Sequence, residues 1–178
     1  MRYLFLLITI TLVGCSTGYE THCMLADKFV MNFTSKLQKT DKLRPTSYGG
    51  AMMDDIQKIN LGFETEECMN LDQMRKFIVL KAEEFLAAIN NDLEIRPYLH
   101  DYPCTINNIQ LSISYNKKGK SNAFYPHVAN AQIYKGEILY ITFAEESDWF
   151  ITSPPSEPYE RALQIINEES ALENCNSF

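Results

Sequence analysis

Apolar positions along the chain follow two periods. Ala26, Val30, Phe33 and Leu37 recur at steps of four, three and four, with Leu25 and Phe29 beside them. This is the stripe of an amphipathic helix, with Asp27, Lys28, Lys36 and Lys39 toward water. A second stripe runs through Leu71, Met74, Ile78, Ala82, Phe85 and Ile89, widened by Phe77 and Leu80. Asn70 suits its N-cap, and Gln73 three residues on completes a capping box. Asn90-Asn91-Asp92 ends it. So wide an apolar face predicts that this long helix lies on a sheet. Period two appears where Ile59, Leu61 and Phe63 alternate with Asn60, Gly62 and Glu64, and where Ile109, Leu111, Ile113 and Tyr115 alternate with Gln110, Ser112 and Ser114. Each run reads as a half-buried strand. Residues 128–134 and 138–143 predict two more, joined by a tight Lys135-Gly136 turn. The last is apolar on both faces, which predicts a central strand.

Breaks separate these runs. Residues 44–50, with Pro45 and Gly49-Gly50, read as a loop, as does the stretch from Arg96-Pro97 to Pro103. Lys117, Lys118 and Lys120 read as a solvated turn, and Glu145-Glu146-Ser147-Asp148 as the end of the last strand. A Pro-rich loop over 153–158 then leads into a final helix with Tyr159, Ala162, Leu163 and Ile166 inward. The predicted order is α-β-α-β-β-β-α. Short links favour an α+β fold: an antiparallel sheet of about four strands, with a long central helix and two further helices packed on it.

The first residues have a different character. Arg2 precedes a nearly unbroken apolar run over residues 3–13, and Leu12-Val13-Gly14-Cys15 closes it. Charged start, apolar centre and small-residue exit are the layout of an export signal. The run is shorter than the ~20 residues a spanning helix needs. The Leu-Val-Gly-Cys order resembles the lipobox of bacterial lipoproteins. That resemblance implies cleavage before Cys15, a diacylglycerol on its sulfur, and a lipid membrane as partner. Ser16 stands where inner-membrane retention would have aspartate, which implies the outer membrane facing the periplasm. Ordinary secretion, with Val13 and Cys15 at a general cleavage site, is the alternative. The expected organisation is a signal peptide over 1–14, a lipidated Cys15 with a polar tether over 15–21, and one α+β domain over 22–178.

A formal charge of −7 repels nucleic acid and anionic headgroups, so neither is an expected partner. Beyond Cys15, an even number of cysteines in an exported chain suggests two disulfides in any of three connectivities. Cys23 with Cys175 closes the longest loop and is the first choice, leaving Cys68 with Cys104; four buried thiols are the alternative. No C-x-x-C occurs, which argues against a zinc ribbon or a thioredoxin-type centre.

Reactive side chains are densest at His100-Asp101-Tyr102-Pro103-Cys104. A histidine can activate a thiol, so His100 and Cys104 stand for a hydrolase reading. Pro103 argues against the helix that would bring them together. Arg96, Tyr98 and Tyr102 suit a recognition patch, because Tyr and Arg dominate binding hot spots, but the favoured reading is structural: the prolines fix the approach of the chain and the tyrosines cover the sheet edge. This segment resembles parts of small exported bacterial proteins in which Arg-Pro-Tyr-Leu and Tyr-Pro lead into a strand, a likeness that brings no activity with it. Glu145, Glu146 and Asp148 lack the spacing of a calcium loop, and His22, His100 and His127 lack that of a zinc site. The leading expectation is a non-catalytic contact module without cofactor or metal, with an envelope protein as its partner. A small-ligand pocket between the long helix and the sheet is the second.

Overall fold

Both helical stripes fold as the periodicity predicts. The computed structural model describes residues 17–117, 123–144, 147–152 and 156–175. Helix α1 covers Thr17–Thr40 and α2 covers Leu71–Asn91. Ala26, Val30, Phe33 and Leu37 are buried on α1, and Met74, Ile78, Ala82, Phe85 and Ile89 on α2. The capping box forms: Gln73 N donates to Asn70 Oδ1, and Asn70 N to Gln73 Oε1, each at 3.0 Å. Phe29 and Phe33 meet Phe85 edge-on at 5.6 and 5.1 Å, which locks α1 against α2. Helix α3, Tyr159–Cys175, turns Tyr159, Ala162 and Ile166 into the same core.

The strands are β1 (Arg44–Ala51), β2 (Lys58–Thr65), β3 (Ile109–Tyr115), β4 (Asn130–Tyr134), β5 (Glu137–Ala144), β6 (Ser147–Thr152) and β7 (Ser156–Pro158). They form one sheet in the order β1-β2-β3-β4-β5-β6, with β7 also on β5. The fold is α+β, but the sheet is larger than expected and mixed. Strands β2 and β3 are parallel, in register from Ile59 opposite Ile109 to Thr65 opposite Tyr115. The reason is α2: a helical crossover carries the chain back to the end from which β2 started.

Strand β1 forms where a loop was expected. It is an edge strand with almost every residue exposed, so it never needed the alternation that marks a half-buried strand. Ser147 and Asp148, expected to end a strand, begin strand β6, and residues 156–158, expected as part of a loop, form strand β7, both against β5. Glu157 holds β7 by accepting from Arg75 Nε and Tyr140 Oη, both at 2.7 Å. The expected tether is also corrected: from Thr17 onward residues 15–21 are already helix α1.

One face of the sheet packs against all three helices, through Ile59, Leu61, Phe63, Leu111, Ile113 and Ile133. Among the described residues, the other face carries no helix. It presents Asn60, Gln110, Ser112, Ser114, Asn130 and Gln132, all half-buried, and continues onto β5 with Leu139, Ile141 and Phe143. So β5 is central in the strand order, but only one of its faces is covered. Where β1 bulges between Pro45 and Ser47, the Thr46 and Ser47 hydroxyls lie over Gly62. A Cβ there would stand 2.4 Å from Ser47 Oγ, so glycine is what admits them.

Candidate functional site

The Arg96–Cys104 segment is a rigid loop rather than a passive link. Asp92, the C-cap of α2, accepts from the backbone N–H of Glu94 and Ile95 at 2.8 and 3.1 Å. Asn90 grips the far end in both directions: its Nδ2 donates to Cys104 O at 2.9 Å and its Oδ1 accepts from Cys104 N at 2.7 Å. Between these clamps the loop runs beside the β1–β2 connection, with Ile56 N donating to Tyr98 O and His100 N to Ile56 O.

That arrangement gathers residues distant in sequence. His22, on the second turn of α1, is buried; its Nε2 donates to Met52 O at 3.0 Å, and its ring stacks on Tyr98 at 6.4 Å. His100 Nδ1 lies 2.6 Å from Asp55 Oδ2. The hydrogen bond with His100 holds the Asp55 carboxyl below its usual range, and the same bond raises the His100 imidazole above its own. The Arg96 guanidinium lies over the Tyr102 ring at 4.8 Å, and Arg96 Nη2 donates to Asn90 O at 2.8 Å. Tyr102 is 54% exposed. Of the expected patch, Arg96 and Tyr102 therefore meet at the surface, while Tyr98 turns toward His22 and the core. Met24, Met53 and Leu93, each more than 65% exposed, belong to the neighbouring segments. Sequence reasoning missed His22 and Asp55. Neither stands in a motif, and only the pairing of Ile56 with Leu99 brings Asp55 to His100.

Cys104 is packed into the loop. Cys104 is 6% exposed, and burial, with a smaller contribution from Asp101, pushes its thiol up to about 11. Its Sγ is directed at Thr105 O, the contact of a packed loop residue. The expected Cys68–Cys104 bridge does not form either. Cys68 precedes the N-cap of α2 while Cys104 is bound to its last turn, so the helix holds them roughly 30 Å apart. A disulfide needs Cα atoms within about 7 Å. Cys23 is a free thiol facing Met52 O at 3.7 Å, which leaves the proposed bridge to Cys175 unformed on its side. The side chain of Cys175 lies outside the described residues, as do Cys15, Lys118, Lys120, Glu145 and Glu146 and the side chain of Asp148.

Two other places have the shape of a site. The space expected for a ligand between α2 and the sheet is filled by Met74, Ile78, Phe85 and Ile89, each at 1% exposure or less. A polar hollow of about 370 Å³ lies instead at the carboxyl ends of β2 and β3, lined by Asp41, Lys42, Arg44, Glu64, Thr65 and Asn116 among others. Its charges are largely satisfied within it. Arg44 pairs with Glu64, and Lys81 reaches Asp41 at 2.6 Å. A hydrogen bond from Asn116, then one from Arg44, keeps the Glu64 carboxyl low against its partial burial. Among the described residues, no three His, Cys, Asp or Glu side chains are disposed to hold a metal, and no helix is long and apolar enough to cross a membrane.

Comparisons with known proteins return no likeness: no family model, no curated protein and no solved structure matches this chain.

Proposed function

We propose that this chain is a lipid-anchored module of the bacterial cell envelope that works by contact, with Arg96 and Tyr102 as its recognition patch. The observation that carries the reading is the start of α1 at Thr17, two positions beyond Cys15. Acyl chains at Cys15 would hold the folded body directly on a bilayer, and each buried methylene would contribute about 0.8 kcal/mol, so two chains anchor durably. His22 and Cys23, early in α1, touch Met52, and His22 touches Tyr98. The patch therefore belongs to the end of the body nearest the proposed anchor. A stacked arginine and tyrosine on a clamped loop suit a protein partner, since both residues bind with little loss of freedom.

Replacing Cys15 by alanine in cells tests the anchor. The variant should lose incorporation of a labelled fatty acid and leave the membrane fraction, with an unchanged melting temperature. Full membrane retention would remove the lipid from the proposal. For contact, a photo-crosslinking residue at position 102 should give discrete adducts that Arg96→Ala weakens. Adducts indifferent to Arg96 would dismiss the patch.

A further inference from the structure

The helix-free face of the sheet carries chemistry that anchoring does not use. Asn60 stands opposite Gln110, Ser112 opposite Gln132, and Ser114 opposite Asn130, so three adjacent strands present only amides and hydroxyls. Asn130 Nδ2 donates to Ser112 Oγ at 2.9 Å and Ser114 Oγ at 2.8 Å. Both hydroxyls accept there, and each keeps its own proton free to donate to another partner. Asn60 Oδ1 is a buried acceptor with no partner. Such a group costs about 1–3 kcal/mol until a donor reaches it. Gly49, opposite Asn60, has nothing within 4 Å of where a Cβ would lie, so the space above this part of the face is open. Beside it, the Thr46 and Ser47 hydroxyls crowd over Gly62 and extend the same chemistry to β1.

Charge is excluded from the middle of the face although the chain carries −7. The charged residues stand at its two ends, Glu64 paired with Arg44 and Lys58 over the Tyr134 ring at 5.5 Å. Toward β5 the surface turns apolar through Leu139, Ile141 and Phe143. An anionic polymer would find no central cation among the described residues of this face. A protein interface core would be richer in aromatic residues and arginine and poorer in serine. Amides and hydroxyls at a strand spacing of ~4.8 Å, bordered by aliphatic and aromatic side chains, match a ligand with hydroxyls on its edges and C–H groups on its faces.

We infer that this sheet face binds an uncharged glycan strand, whose ring hydroxyls pair with the amides and serines while a sugar face rests on the Leu139–Phe143 border. The inference is independent of acylation at Cys15 and of the Arg96–Tyr102 patch. The test is NMR on the full chain in detergent, titrated with three neutral hexasaccharides: a β-linked N-acetylglucosamine oligomer, a cello-oligomer and a malto-oligomer. At least one should shift the side-chain amide signals of Asn60, Gln110, Asn130 and Gln132 while leaving His100 unmoved. Ser112→Val and Gln132→Leu, surface changes checked for an unchanged melting temperature, should each weaken that binding at least tenfold. Three silent titrations into the millimolar range would overturn the inference. So would shifts confined to the Arg96–Tyr102 loop, which would support the recognition patch instead. Binding of dextran sulfate in preference to the neutral oligomers would replace a neutral ligand with an anionic one.

Discussion

Burial decides what the cysteines can do. A thiol held near 11 is protonated at any ordinary pH, whereas Cys68 is exposed. Iodoacetamide at pH 8 should therefore modify Cys68 within minutes and reach Cys104 only after unfolding; equal rates in the native protein would contradict the packed loop. The four-residue spacing of His100 and Cys104 suggested a shared helix face, and Pro103 already spoke against the helix. The partner His100 does have, Asp55, was invisible, because forty-five positions separate them and no local pattern records a long-range approach. Their pairing sets a sign. A raised imidazole contributes stability that is complete below about 6.5 and is lost as pH rises through its folded value. The lowered Asp55 carboxyl contributes above about 3.8 and is lost as pH falls through its folded value. In an NMR titration His100 should have its midpoint above the ordinary imidazole value of about 6.5, and Asp55→Asn should bring it down. A midpoint unmoved by that change would dissolve the pair.

Helices and interior strands were legible because their burial is one-sided. The stripe on α2, its capping box and its stop at Asp92 could be read residue by residue, as could β2 and β3. Direction was not. A strand reads alike whether its neighbour runs with it or against it, so the parallel pairing of β2 and β3 had to come from where α2 delivers the chain. Strand β1 lacked the signal altogether, being exposed on both sides. The loop after α2 looked irregular, and one of the two clamps that order it is the Asn90 amide. Asn90→Ala would leave the Cys104 N–H without its acceptor and free the loop from α2. A loss of about 1–3 kcal/mol in urea denaturation should follow, with faster hydrogen exchange at Cys104. Asn90→Asp, which retains an acceptor for that N–H, should cost less. An alanine variant as stable as the parent would show that the clamp is idle.

Across the molecule, the alternation along β2 and β3 already named the outward residues Asn60, Gln110, Ser112 and Ser114, but not that they would stand side by side on a bare face. The sequence placed Arg96 and Tyr102 in one segment, while their contact and its neighbours on α1 and the β1–β2 connection came only with the fold. On the proposed lipid anchor, the exposed edge of the sheet gains a further consequence. Molecules confined to a plane meet edge to edge far more often than molecules in bulk solution, and an open strand invites a copy to zip onto it. Strand β1 discourages this by composition: Pro45 withholds one backbone donor, the adjacent bulge spoils the flatness a mate would need, and Gly49-Gly50 offers little for it to grip. Sociability of that kind is thus blunted in the same strand whose hydroxyls overhang Gly62, and copies packed shoulder to shoulder would remain separate bodies.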